Sequence, residues 1–195
     1  PEIEKSIMGD HSMRLPAELE KYAAASEPDA ALVAEGYNWV EKFFSCGDPA
    51  VTAPLASAMF LAPLASLLPL GFGLALIGPS GTRKSSLTAA ALSLWGKFTK
   101  DSLPLSFMSS MNFIERVGFL GKDLPLVIDN FVPSMKDAHS SLLTRLAHTV
   151  GDQTGRGRMT ANQEIRSSKP MRGLCILTGE AFPERITVGY IYMMQ

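Results

Sequence analysis

Gly73-Leu74-Ala75-Leu76-Ile77-Gly78-Pro79-Ser80-Gly81-Thr82-Arg83-Lys84-Ser85-Ser86-Leu87-Thr88-Ala89-Ala90-Ala91-Leu92 decides how this chain folds. An apolar run with strand character meets a glycine turn, then a lysine, hydroxyls and a helix-compatible stretch. That order wraps backbone N–H groups around a phosphate chain. It meets the pattern G-x-x-x-x-G-K-[ST] except at Arg83, which stands where the second glycine belongs. Gly78 and Gly81 allow backbone conformations that side chains forbid, and the helix beginning near Lys84 adds its dipole and free amides. The expected cradle is Gly78, Pro79, Ser80, Gly81, Thr82, Arg83, Lys84, Ser85 and Ser86, and its ligand ATP with Mg²⁺. Lys84 is expected to reach the β- and γ-phosphates and the Ser85 hydroxyl to ligate the metal ion. Arg83 is expected in helical geometry, its side chain pointing away or adding positive charge. A chance glycine turn before a helix is the bland alternative, disfavoured by the strand on one side and the Lys-Ser pair on the other.

Downstream, Leu124-Pro125-Leu126-Val127-Ile128-Asp129-Asn130 is a hydrophobic strand ending in an acid, 45 residues after Lys84. Asp129 is the carboxylate expected to hold Mg²⁺, through water or together with Ser85; an ordinary strand-end acid in a turn is the competing reading. The next position often carries a second acid that activates water, and here it is Asn130. An amide orients water but takes no proton from it, so hydrolysis is expected to be slow or to draw its base from elsewhere, with Glu115, Asp123 and Glu180 as replacements. The strand Arg172-Gly173-Leu174-Cys175-Ile176-Leu177-Thr178 ends in a hydroxyl placed to sense the γ-phosphate, a simple strand-end threonine being equally compatible. Between them, Thr154–Arg172 carries Arg156, Arg158, Arg166, Lys169 and Arg172 against Glu164 alone. Arg156 is the candidate to meet a neighbouring subunit's nucleotide or a nucleic-acid backbone, against a solvated basic hairpin with neither duty.

A chain of 195 residues, 46% apolar and 19% charged, suits one globular α/β domain and argues against disorder. Its net charge of −1 excludes a wholly basic nucleic-acid module, so any such contact must be local or come from neighbouring subunits. Cys46 and Cys175 lack metal-ligand spacing and read as reduced, buried thiols of a cytoplasmic protein. His11, His139 and His148 have neither metal spacing nor a nucleophile nearby, and read as packing or surface residues. The uncharged run Pro49–Thr82 is broken by Pro54, Pro63 and Pro69, so it reads as a buried helix near Ala50–Ser66 and a core strand, with no membrane span. Ala30–Phe44 reads as an amphipathic helix whose apolar stripe is Leu32, Val33, Tyr37, Val40 and Phe44. Residues 1–70 are thus a helical lead-in packed on the sheet, and 71–195 the core. The chain opens at Pro1 without a signal-peptide pattern and ends in a strand-like run, so a truncated C-terminus is expected. Strands at 72–77, 104–109, 124–129, 172–178 and 186–193 alternate with helices at about 84–97, 111–119 and 136–150, which predicts a parallel sheet covered on both faces.

Together these motifs resemble P-loop ATPases of phages, plasmids and mobile elements that are associated with primases and related to superfamily 3 and AAA+ helicases. The resemblance spans about Asp48–Pro183. It rests on Gly78–Ser85, Leu94-Trp95-Gly96-Lys97-Phe98, Ser110-Met111-Asn112-Phe113-Ile114-Glu115, Val127–Pro133, Gly155–Arg158, Pro170–Leu174 and Thr178-Gly179-Glu180. In such proteins the glycine before the lysine is commonly replaced, which makes Arg83 familial. The chain departs from them in Asn130 and in lacking a matched arginine after Thr-Gly-Glu, Arg185 being out of register. The resemblance implies a P-loop NTPase fold of AAA+/RecA type, a five-stranded parallel sheet of order 5-1-4-3-2. It also implies an ATP-driven homo-oligomeric ring that acts on DNA in replication, a helicase-like ATPase. Asn130 keeps a second class open: a nucleotide-binding switch or assembly module with little or no hydrolysis. A small-molecule kinase is a third, disfavoured by the lack of an acceptor-binding lid in the sequence.

Overall fold

The computed structural model describes residues 16–22, 29–68, 70–132, 136–152, 158–159, 165–166, 170–181 and 191–194. Helix α1 (Ala30–Phe44) starts at Asp29, whose carboxylate accepts the Leu32 N–H at 2.7 Å. Helix α2 (Pro49–Leu61) is capped by Asp48 and has proline in its first turn, where a missing N–H is harmless. It runs into a single 3₁₀ turn at Ala62–Leu64. Then come β1 (Gly73–Ile77), α3 (Lys84–Leu92), β2 (Leu105–Ser106), α4 (Met111–Leu120), β3 (Pro125–Phe131) and α5 (Lys136–Asp152). A two-stranded antiparallel hairpin, β4 (Arg158–Met159) and β5 (Ile165–Arg166), precedes β6 (Leu174–Gly179) and β7 (Ile191–Met194).

The main sheet has the order β2-β3-β6-β1-β7, with every neighbouring pair parallel. Its three middle strands are apolar on both faces, and alternate residues enter two separate cores. Ala75, Ile77, Leu126, Ile128, Cys175 and Leu177 join Ile114 and Val117 of α4 and Leu143 and Leu146 of α5. Leu74, Leu76, Val127, Leu174 and Ile176 join Leu55 and Met59 of α2 and Ala91 and Leu92 of α3. This double covering is what a parallel sheet requires. It also leaves the carboxyl ends of β1, β3 and β6 on one edge, where the loops carry polar groups.

Two sequence expectations fail here. The stripe Leu32, Val33, Tyr37 and Phe44 of α1 lies exposed, Tyr37 at 74%, and Val40 is half-buried. The helix instead buries Phe43, with Trp39 stacked on it at 4.9 Å and the Trp39 indole N–H donating to Ser93 Oγ at 3.0 Å. It rests on α2 and the end of α3, so its helical period picked the wrong face. Cys46 is exposed, not buried, because it sits in the turn after α1, where its thiol donates to the Lys42 carbonyl at 3.2 Å. Among the described residues no helix is long and apolar enough to cross a membrane.

Candidate functional site

The loop after β1 is tied to the neighbouring strand end: the Gly78 N–H donates to the Gly179 carbonyl at 3.2 Å. Gly81 takes φ 82°, the left-handed region glycine enters without penalty. Arg83, the residue capping α3, takes φ 62° and ψ 23°. The expected helical geometry at Arg83 is therefore wrong. The loop turns into the helix through a left-handed residue, the conformation a glycine at this place would supply, and arginine holds it at a cost of ~1–2 kcal/mol. The Arg83 carbonyl still accepts the first helical bond, from Leu87 N–H at 2.9 Å.

Lys84 folds back over the loop. Its ammonium donates to the carbonyls of Gly78 and Pro79, both at 2.7 Å, and to Thr82 Oγ1 at 3.3 Å. Thr82 in turn donates to the Pro79 carbonyl at 2.8 Å. At the second residue of α3, Ser85 Oγ donates to Asp129 Oδ1 at 2.9 Å. The same carboxylate oxygen takes the Thr178 hydroxyl, which itself accepts the Asn130 N–H at 3.1 Å. Three segments far apart in sequence thus converge on one acid. The parallel topology causes this, since β1, β3 and β6 are adjacent and end on the same edge.

Asn130 occupies a β-bulge. Pairing runs Ile128 with Leu177 and resumes at Phe131 with Gly179, so β3 spends one residue more than β6. Asn130 absorbs that extra residue with φ 72° and is exposed. The chain closes again through Glu180 N–H, which donates to the Phe131 carbonyl at 3.1 Å. Behind the site, the Val132 N–H donates to His139 Nδ1 at 3.2 Å, and the buried imidazole lies against Phe107 and Phe131. His139 is thus a packing residue that fixes the path out of β3.

The cleft enclosed by these segments has a volume of about 290 Å³. Ser80, Gly81, Arg83, Lys84, Ser85 and Ser86 line one wall, and Asp129, Asn130, Thr178, Gly179 and Glu180 the other. Gly78, Pro79 and Thr82 belong to the same loop and hold Lys84. Arg156 lies outside the described residues, as does Arg185. Of the replacement acids, Glu180 lines the cleft. Glu115 lies in α4, and Asp123 precedes β3 at the end of the strand away from Asp129. Lys100 also lines the cleft and was missed, because nothing in Thr99-Lys100-Asp101-Ser102 marks it from sequence. Three cations, Arg83, Lys84 and Lys100, thus face two acids, Asp129 and Glu180. Among the described residues no three His, Cys, Asp or Glu side chains gather into a metal cluster. The groups whose proton affinity is clearly displaced lie toward the other end of the sheet. Burial pushes the Cys175 thiol up to about 12, and burial followed by the nearby Cys175 raises the Tyr22 phenol.

Fold and cleft define an α/β protein with a polar, mixed-charge site at the carboxyl edge of a parallel sheet. Residues 38–170, more than half of the chain, match the family described as "Domain of unknown function (DUF927)", and the chain belongs to that family. Among solved structures it is similar to one described as "SCCmec type IV Cch - active helicase", with a TM-score of 0.53 and 17% identity. That alignment covers 90% of this chain and 33% of the other, so the chain spans about a third of that protein's length. A second, "The A form apo structure of NrS-1 C terminal region-CTR", aligns with a TM-score of 0.44 and 14% identity over 93% of this chain and 40% of that one. No curated protein matches the chain.

Proposed function

We propose that this chain is an ATP-binding and ATP-hydrolysing motor module, helicase- or translocase-like, working in the cytoplasm in replication of a phage or mobile element. The observation that carries the proposal is the convergence of Ser85 and Thr178 on Asp129 Oδ1 beside the lysine-bearing loop. A hydroxyl and a carboxylate oxygen brought to 2.9 Å are hard donors of the kind Mg²⁺ takes, and Mg²⁺ needs few protein ligands when phosphates and water complete its shell. In this reading Ser85 and Asp129 hold Mg²⁺, whose bound charge supports phosphoryl transfer. Lys84 neutralises the phosphate chain, and the loop amides from Gly78 to Ser86 cradle it. Thr178 fixes the rotamer of Asp129 and couples it to the Asn130 backbone. Arg83 and Lys100 add positive charge at the rim. Arg156 is assigned to a neighbouring subunit's nucleotide or to DNA, in a homo-oligomeric ring. The helicase named among the similar structures supports this direction through its fold.

The test is ATP turnover with and without single-stranded DNA, together with particle mass with and without ATP. DNA-stimulated turnover and an ATP-dependent oligomer are expected; an unstimulated, persistent monomer would remove the motor. A second reading, a nucleotide-dependent switch or assembly module, is favoured by Asn130, whose amide accepts no proton. ATP binding without turnover would select it.

A further inference from the structure

Hydrolysis at this site needs a proton acceptor that Asn130 cannot be. We infer that Glu180 is the general base, supplied from the strand beside β3 and not from β3 itself; the inference rests on the ATPase reading above. Four observations lead to it. Glu180 and Asp129 are the two carboxylates lining the cleft. Asp129 Oδ1 is already engaged by the hydroxyls of Ser85 and Thr178, which suits a metal-holding role and leaves that oxygen occupied. Glu180 is exposed, so its carboxylate is free to meet water.

The fourth is the bulge. The extra residue in β3 turns Asn130 out at φ 72° and breaks the pairing with β6 between Ile128 and Phe131. The Glu180 backbone is pinned where pairing resumes, through its N–H to the Phe131 carbonyl at 3.1 Å. Glu180 therefore shares the rim with Asn130, one strand nearer the lysine loop, since β6 lies between β3 and β1. A base there acts two residues beyond Thr178, the residue that fixes Asp129, so metal side and base side share one strand end. In the step, a water oxygen forms a bond to the γ-phosphorus while the bond from that phosphorus to the β–γ bridging oxygen breaks. The water's proton passes to the Glu180 carboxylate and the electron pair of the broken bond leaves with ADP. The Asn130 amide orients the water.

The experiment compares the 195-residue chain with Glu180→Gln and Glu180→Asp, measuring ATP turnover with DNA present and affinity for a non-hydrolysable ATP analogue. Glu180→Gln is expected to lose ~10²–10⁴-fold in kcat while analogue affinity stays within about twofold. Glu180→Asp, which keeps the carboxylate one methylene shorter, is expected to recover part of that loss. Wild-type turnover with Glu180→Gln at half its rate or more would overturn the base and leave the ATPase reading standing. Analogue binding by the wild type without any turnover would overturn the base together with hydrolysis, and select the nucleotide-dependent switch. A wild-type chain that binds no analogue would overturn the ATPase reading itself.

Discussion

Replacing Thr178 by valine removes a hydroxyl and leaves the shape nearly unchanged, which makes it a clean probe of the three-residue knot around Asp129. Thr178 is 1% exposed, so the change is felt in full. Two bonds are lost: the donation to Asp129 Oδ1 and the acceptance from Asn130 N–H at 3.1 Å. A bond to a charged carboxylate contributes ~1.5–3 kcal/mol and a neutral one ~1 kcal/mol. The second loss counts for less, because Asn130 is exposed and its N–H can turn to water. Burying a methyl in place of a hydroxyl returns about 1 kcal/mol, so the net destabilisation is about 1–3 kcal/mol. For a chain of this length each kcal/mol moves Tm by ~2–4 °C, which sets the expected fall at about 2–12 °C. Thr178→Ser is the control: it keeps the hydroxyl and loses one methyl, for about 1 kcal/mol. Thermal melting and urea unfolding of the three proteins decide the matter. If Thr178→Val melts at or above Thr178→Ser, the hydroxyl contributes nothing and the knot is not a stabilising element. Mg²⁺-dependent nucleotide binding should weaken in the valine variant for the same reason, since Asp129 loses the group that orients it.

The left-handed backbone at Arg83 predicts that Arg83→Gly raises stability by about 0.5–1 kcal/mol, the strain relieved being partly offset by glycine's freedom in the unfolded chain; a lower urea midpoint would contradict the geometry. At Asn130, with φ 72°, glycine should be tolerated while valine costs about 1–2 kcal/mol, and equal stability of the two variants would remove the bulge conformation. Under native conditions a thiol reagent should label Cys46 alone, with Cys175 reacting only after unfolding; fast labelling of both would mean the sheet is open. Burial holds the Cys175 proton in the folded chain up to about pH 12, whereas the unfolded thiol releases its proton near ~8.5. Its contribution is therefore complete below the unfolded value and lost as pH climbs through the folded one. The stability gap between wild type and Cys175→Ala should narrow between pH 8 and 10.5, and a constant gap would count against it.

How far the sequence could be read depends on whether the controlling interactions are local. The loop between β1 and α3 was legible because its determinants lie within a dozen residues: an apolar run, glycines, a lysine and a helix start. Asp129 and Thr178 were legible for a topological reason. Parallel strands end on one edge, so polar residues at strand ends collect there. The stripe on α1 was misread because periodicity reports that a helix is two-faced and says nothing of which neighbour it meets. Here α2 offers a place for Phe43 and Trp39, and the longer stripe faces out. Strand β2 shrank from the expected 104–109 to Leu105–Ser106, since pairing with β3 stops where the Phe107 N–H meets the Asp129 carbonyl and a tight turn begins at Ser106. Lys100 was illegible because its loop is placed by remote contacts: Lys21 Nζ on the Ser102 carbonyl at 3.1 Å, and a bridge between Tyr22 and Gly96.

Arg83 and Asn130 are two of the three non-glycine residues with positive φ in the described chain, and both border the cleft. The third, Asp123, is at the far end of β3 and has a buried carboxylate oxygen without a partner, so left-handed strain alone does not mark a site. What separates the pair is what each side chain does to the cleft. Glycine at 83 would give the same turn without the ~1–2 kcal/mol cost, and it would take away one of the three cations that line the cleft. Asparagine at 130 tolerates the bulge better than most residues and keeps a neutral amide where an acid would add a third negative charge beside Asp129 and Glu180. Both choices push the lining toward net positive. On the ATP-binding reading proposed above, a polyphosphate that brings its own divalent cation would gain from such a lining, and that gain would oppose the backbone cost at Arg83.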